Sequence, residues 1–197
     1  NQKIVQKIKN IGGEEAVNNF DKLKNHIKNY KESISKNYQT INDIIHKAFW
    51  DNITEQLSQT PPNVLVIVPL LDDVKLMLKN CTPNRKDIHD ELDSNIDISH
   101  IEDMIKHNVI GQDYIYSMVS YIFKLVIEYQ SKNDEAKTKK VRDKLLNDLR
   151  CDVYYKDFFP EFFKQIFKYL ENILKEIEIL KTTELYQQIK EAKTNKD

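Results

Sequence analysis

The chain has three glycines, at positions 12, 13 and 111, and five prolines in 197 residues. So few chain breakers cannot supply the tight turns of a sandwich or barrel of many short strands, whose corners call repeatedly for glycine at positive φ. Helices are the architecture that this scarcity permits. It also excludes phosphate-cradling loops, because neither G-x-x-x-x-G-K nor G-x-G-x-x-G can be assembled from Gly12, Gly13 and Gly111.

The apolar residues carry the matching period. Ile4, Val5, Ile8 and Ile11 form a short helical stripe, predicted to end at Gly12-Gly13 and so to leave residues 1–13 as a stub. No glycine or proline interrupts residues 14–60, where Ala16, Phe20, Leu23, Ile27, Tyr30, Ile34, Tyr38, Ile41, Ile45 and Ala48 recur at steps of three and four. This predicts one long helix, or two with a break near Lys36-Asn37. The stripe is expected to close as an intramolecular helix hairpin, with a coiled-coil partner surface as the alternative. Pro61-Pro62 ends the run. Residues 64–68 are β-branched enough for a strand. Leu70, Leu71, Val74, Met77 and Leu78 continue them with helical spacing, so a helix is expected, kinked or restarted at Pro69.

Short helices follow at 86–92 and 99–107, the second capped by Asp97 or Ser99. Residues 113–130 are apolar nearly all round and predict a central helix; 134–150 predict a mixed-charge helix with Val141, Leu145, Leu146 and Leu149 inward. The last helix is expected to take Pro160 in its first turn and to run through Ile166, Leu170, Ile173, Leu174, Ile177 and Leu180, before a polar tail at 181–197. The expected fold is all-α: a single-domain bundle of about seven or eight mostly antiparallel helices over residues 14–180.

A formal charge of −1 gives no bulk attraction to nucleic acid or to a membrane surface. Residues 87–103, however, hold seven acidic side chains and no Lys or Arg, so Asp87, Asp90, Glu91 and Asp93 are a candidate surface for a basic partner. Phe158, Phe159, Phe162 and Phe163 are the second candidate partner surface, because phenylalanines on two faces of one helix exceed what one core needs. The apolar stripe 166–180 could likewise dock on a dimeric subunit, as kinase-anchoring helices do, or cover the core. Lys137, Lys139, Lys140, Arg142 and Lys144 form a basic cluster that could meet phosphates, although Asp134, Glu135 and Asp143 interleave and no aromatic platform lies within it. Nucleic-acid contact is therefore the alternative function.

Catalytic constellations are weak. His100, Asp103 and His107 share a helix face at i, i+3 and i+7, but a zinc site needs a further ligand. Cys81 and Cys151 stand alone, with no CxxC and no neighbouring histidine in sequence. No enzyme activity, cofactor or metal is expected. Two isolated cysteines fit a reducing, cytoplasmic setting, and no apolar run reaches the length of a membrane span. The opening Asn1 fits a fragment or processed form. Lysine outnumbers arginine 27 to 3, beside 24 isoleucines and 18 asparagines, which reads as the AT-rich genome of a protist, a giant DNA virus or a bacterium.

One string has a family character. Phe49-Trp50-Asp51, then Glu55-Gln56-Leu57, then Pro61-Pro62 resembles the opening signature of the T-complex protein 11 family. In register follow Leu70-Leu71-Asp72-Asp73-Val74-Lys75, a proline loop at 81–85, Ile88-x-x-Glu91-Leu92-Asp93, the hydrophobic helix 114–127, Val141-Arg142-Asp143-Lys144-Leu145 and the aromatic stretch 159–170. The resemblance covers roughly residues 45–180. Family members usually carry a Cys-Ala-Pro-x-Arg-Asp-Glu motif after the hydrophobic helix; this chain has Gln130-Ser131-Lys132-Asn133-Asp134-Glu135, as a divergent or truncated member would. The resemblance implies an all-helical, non-enzymatic regulatory or scaffold protein that binds other proteins and is associated with cyclic-AMP and protein kinase A signalling. It maps no catalytic residue onto this chain.

Overall fold

A computed structural model describes residues 2–151, 153–183 and 188. The described residues form seven α-helices, α1 (Gln2–Leu57), α2 (Ile67–Cys81), α3 (Lys86–Asn95), α4 (Ile98–Lys106), α5 (Gln112–Tyr129), α6 (Lys132–Arg150) and α7 (Tyr155–Thr182), with a 3₁₀ turn at Val64–Val66 before α2. There is no strand among them. The chain divides into two compact units, residues 1–51 and 52–197.

The first unit departs from the prediction at Gly12-Gly13, where the backbone stays helical, so the expected stub and the rest of α1 are one helix. Of the two alternatives for the longer stretch, the unbroken helix is the one formed, since the backbone is also helical through Lys36-Asn37. Glycine in a helix interior costs roughly 1 kcal/mol relative to alanine, which weakens a helix without forbidding it. The side chains of the Ile4–Ile11 stripe lie outside the described residues, as does the expected polar tail beyond 183 apart from residue 188. Within the first unit no second described helix covers the stripe, and Leu23, Ile27, Tyr30, Ile34, Tyr38, Ile41, Ile44 and Ile45 are between 37% and 66% exposed.

The second unit holds the core. α7 packs most extensively on α2, and α5 on α6, with α4 and α3 also laid on α2. Leu70, Leu71, Val74 and Leu78 of α2, Ile115, Val119, Ile122, Phe123 and Val126 of α5, and Leu145 and Leu149 of α6 are buried at helical spacing. Pro69 sits in the first turn of α2, where its missing N–H costs nothing, so the β-branched run closes a 3₁₀ turn and opens a helix.

The short connection after α5 sets α5 and α6 antiparallel. The α5–α6 corner brings Gln130 Oε1 within 2.8 Å of the Thr138 hydroxyl, and at the far end Arg150 donates to the Tyr116 hydroxyl at 2.9 Å. At the α2–α3 corner the His89 Nε2 faces the Lys79 and Thr82 carbonyls at 3.1 and 2.9 Å, which requires the proton on Nε2. Asp97 caps α4 by accepting from the His100 N–H at 3.0 Å, one of the two predicted caps. Asn108, after α4, takes φ 55°, a left-handed position that asparagine tolerates.

Two corrections concern α7. It starts at Tyr155, five residues before Pro160, so the proline lies inside the helix and removes one backbone donor. The gain is that Phe158, Phe159, Phe162 and Phe163 fall on the same inward side as Ile166 and Leu170. All six are fully buried or within 1% of it, so the four phenylalanines expected as a partner surface are the centre of the core. Phe162 meets Phe123 of α5 edge-on at 6.1 Å and stacks with Phe158 at 5.9 Å. Cutting Phe162 to alanine should lower the unfolding free energy by about 3–5 kcal/mol, whereas exposed Tyr154→Ala should change it by less than about 0.5 kcal/mol. Urea denaturation of the two variants checks the contrast.

A half-buried cation ties α2 to α3. Lys75, with its side chain only 14% exposed, donates to the Ile96 carbonyl at 2.9 Å and pairs with Asp93 at 2.6 Å; Lys79 reaches the same carboxylate at 2.7 Å. These hydrogen bonds from Lys75 and Lys79 hold the Asp93 carboxyl down at about 2. A carboxyl depressed in the folded chain stabilises it above the ordinary carboxylate pKa near 4, and that stability is lost as pH falls toward 2. The carboxylate is half exposed, which screens the pair, so Asp93→Ala should cost about 1 kcal/mol at pH 6. The gap between wild type and variant should close by pH 2, as read from urea midpoints across that range.

Candidate partner-binding face

α3 and α4 carry the acidic residues singled out in the sequence. Asp87, Asp90, Glu91 and Asp93 are all exposed, but they are not equivalent. Asp87 is clamped by Arg85, whose Nε and guanidinium tip lie 2.9 and 2.6 Å from its two oxygens, and that contact holds its carboxyl at about 2. Asp93 belongs to the Lys75–Lys79 pair described above. Glu102 pairs with Lys106 within α4 at 2.6 Å. Part of the acidic run is thus neutralised locally. Asp90 and Glu91 keep carboxylates toward solvent, with Glu91 accepting a long hydrogen bond from the Tyr121 hydroxyl at 3.3 Å.

Beside them lies a groove of about 350 Å³ that the sequence did not announce. Ser94, Asn95, Asp97 and His100 line one side, and Tyr114, Ser117, Met118 and Tyr121 of α5 the other. The His100 ring meets Tyr114 edge-on at 6.3 Å. Burial, and then Asp97, push the Tyr114 phenol up; burial, and then Glu91, push Tyr121 up further. Both phenols are therefore neutral at physiological pH and present rings rather than charges. The Ser94 and Ser117 hydroxyls donate to the Asp90 and Asp113 carbonyls at 3.0 and 2.9 Å, so neither is poised as a nucleophile.

The remaining candidates do not converge. The His107 Nδ1 lies 2.8 Å from the Asp103 backbone carbonyl, while His100 faces Tyr114; no group of three His, Cys, Asp or Glu side chains able to hold a metal ion occurs among the described residues. Cys81 is half-buried, and burial alone pushes its thiol up to about 11, away from the reactive thiolate. Cys151 is an exposed free thiol. In the basic cluster Lys139 pairs with Glu135, and Arg142 with Asp143 at 2.7 Å, leaving Lys137, Lys140 and Lys144 together on one exposed face of α6. A groove of about 440 Å³ between Leu57–Pro62 and the start of α7 has no carboxylate, histidine or cysteine in its lining. On α7 the stripe beyond Ile173 loses its cover, and Leu180 is exposed. No described helix is long and apolar enough to cross a membrane.

The signature residues have physical roles in this geometry. Phe49 meets Trp50 edge-on at 5.0 Å, and Lys47 pairs with Asp51 at 2.8 Å. Leu57 is buried, and Gln56 fastens the turn after α1 by accepting from the Asn63 side-chain amide at 2.9 Å and its N–H at 3.0 Å. Lys75, which closes the Leu70–Lys75 string, and Asp93, which closes the Ile88–Asp93 string, are the two partners of the α2–α3 ion pair.

Comparison with known proteins follows the same line. The chain is 28% identical over 80 residues to the human T-complex protein 11 homolog, a stretch that covers 40% of this chain and 16% of the human protein. No solved structure matches. The sequence pattern of the T-complex protein 11 family matches residues 19–127; it begins earlier than the resemblance read over roughly residues 45–180 and stops before Gln130–Glu135, so it does not extend to the strings at 141–145 and 159–170. With more than half of its length matched, this chain belongs to the T-complex protein 11 family.

Proposed function

We propose that the chain is a non-catalytic helical interaction module, and that its α3–α4 face binds a basic segment of a partner protein. The observation that carries this reading is the pairing of two kinds of group at one place. Asp90 and Glu91 direct negative charge to solvent, and the adjoining groove offers the Tyr114 and Tyr121 rings together with Asp97. A lysine or arginine side chain is both a cation and an apolar stem. It fits carboxylates at the rim with ring faces beside them, a contact worth about 0.5–2 kcal/mol per cation–ring pair. Arg85, Lys75 and Lys79 already hold Asp87 and Asp93, so those two carboxylates support the face more than they add to its field.

The association of the family with cyclic-AMP and protein kinase A signalling makes a component of that machinery a candidate partner. Two free thiols, one of them exposed, are in keeping with a reducing, cytoplasmic setting. Contact with nucleic acid through Lys137, Lys140 and Lys144 is the competing reading, supported by their shared exposed face.

Fluorescence anisotropy with a labelled lysine-rich peptide tests the proposal. Binding should weaken as salt rises from 50 to about 300 mM, because the screening length for exposed charges falls from above roughly 10 Å to below roughly 8 Å over that range. Asp90→Lys with Glu91→Lys should weaken it at least about tenfold, the effect of losing roughly 1.4 kcal/mol. Peptide binding that ignores both changes, or tight salt-sensitive binding of single-stranded RNA in its place, contradicts the reading.

A further inference from the structure

The apolar stripe of α1 is a surface in want of a second helix, and its pattern says which helix. Phe20, Ile27, Ile34, Ile41 and Ala48 recur every seven residues; Leu23, Tyr30, Asn37 and Ile44 do the same three residues later. This is the a/d alternation of a coiled coil, with Tyr38 and Ile45 widening the stripe on one side. An ideal straight helix drifts about 20° per heptad away from such a repeat, so a seven-residue pattern stays on one face only where two helices wind around each other. From Phe20 to Ala48 the stripe spans 29 residues, about 42 Å from end to end at 1.5 Å per residue, and its partner must match that length and period.

We propose that the partner is α1 of a second copy of this chain, paired parallel and in register. Three further observations favour a copy. Among the described residues no other helix offers a free apolar face of that length, since α7, the next longest, buries Phe158 through Ile173 in the core. Isoleucine occupies three successive a positions, 27, 34 and 41, the β-branched choice that favours two parallel strands. Asn37 is the single polar residue among the inner a and d positions from 20 to 44. Against a copy in register its amide meets the same amide, which can donate and accept in return; a slip of one heptad sets it against Tyr30 or Ile44 and leaves a buried amide poorly matched.

The area is sufficient. Eight large side chains on the stripe are 37–66% exposed. At about 150 Å² or more for a fully exposed large side chain, they offer roughly 650 Å² per copy, and a pair of copies reaches the range of stable interfaces near 1,200–2,000 Å². The flanking positions neither oppose nor drive pairing: Lys24 would face Asn19, and Lys31 would face His26. Pairing through apolar layers should therefore depend little on salt, unlike binding at the α3–α4 face.

Sedimentation velocity of the whole chain from 1 to about 100 μM tests the inference. A species of twice the 23.4 kDa chain mass is expected at the upper end, equally at low and high salt. Ile34→Lys with Ile41→Lys, both at exposed positions, should leave only the monomer. Asn37→Cys should give a disulfide-linked dimer under mild oxidation, in a background with Cys81→Ser and Cys151→Ser; position 37 is exposed, so this variant does not strain the fold. A wild-type chain that stays monomeric at 100 μM, a dimer unaffected by the two lysines, or a dimer that the Asn37→Cys variant cannot link overturns the proposal.

Discussion

The second unit depends on the burial of one helix face. With both cysteines free and no strand among the described residues, neither a disulfide nor a sheet holds it together. Its cohesion comes from the inward side of α7, where Phe158, Phe159, Phe162, Phe163, Ile166 and Leu170 are removed from water against α2 and α5. A fully buried side chain of this size contributes about 1.5–3 kcal/mol, and ring pairs at 5–6 Å add up to roughly 1 kcal/mol each. That face explains why α7 tolerates Pro160 five residues inside its start. Beginning the helix at the proline would place Phe158 and Phe159 outside the helical register that buries them.

What the core fixes, the polar contacts around it refine. α3 and α4 bury little beyond Leu92, Ile96 and Ile101, so their position rests on Lys75, Lys79 and Asp93, on His89 across the end of α2, and on the Asp97 cap. The same contacts determine which acidic groups remain available outside. Carboxylates that lock helices together are partly neutralised by their cations, which leaves Asp90 and Glu91, beside the tyrosine-lined groove, as the acidic groups turned to solvent.

Legibility in the sequence followed the range of each interaction. Helical periodicity is local, so the all-α class and the approximate bounds of α2 to α6 could be read directly, as could the Asp97 cap, which acts on a residue three positions away. The Lys75–Asp93 pair joins residues 18 apart with no periodic signal between them, and the Tyr114–Tyr121 groove assembles residues from three helices; neither was visible beforehand. The phenylalanines of α7 were conspicuous, but composition does not say which way a ring faces. Their number suggested a shared surface where the structure places a core. Gly12-Gly13 misled in another way, because a residue that often ends helices does not have to end one. For α1 the stripe was legible and its cover was not, since a heptad pattern describes a hairpin and an intermolecular pair equally well.

The central claim is that the chain combines a self-supporting aromatic core with a helix whose apolar stripe is completed from outside. Amide hydrogen exchange followed by mass spectrometry, run on the whole chain at about 1 μM and about 100 μM, addresses both halves at once. The account predicts that peptides from 115–126 and 158–173 are the slowest to exchange and are indifferent to concentration, while peptides from 20–48 become protected only at the higher one. Equal protection of 20–48 at both concentrations, or early exchange across 158–173, would contradict it.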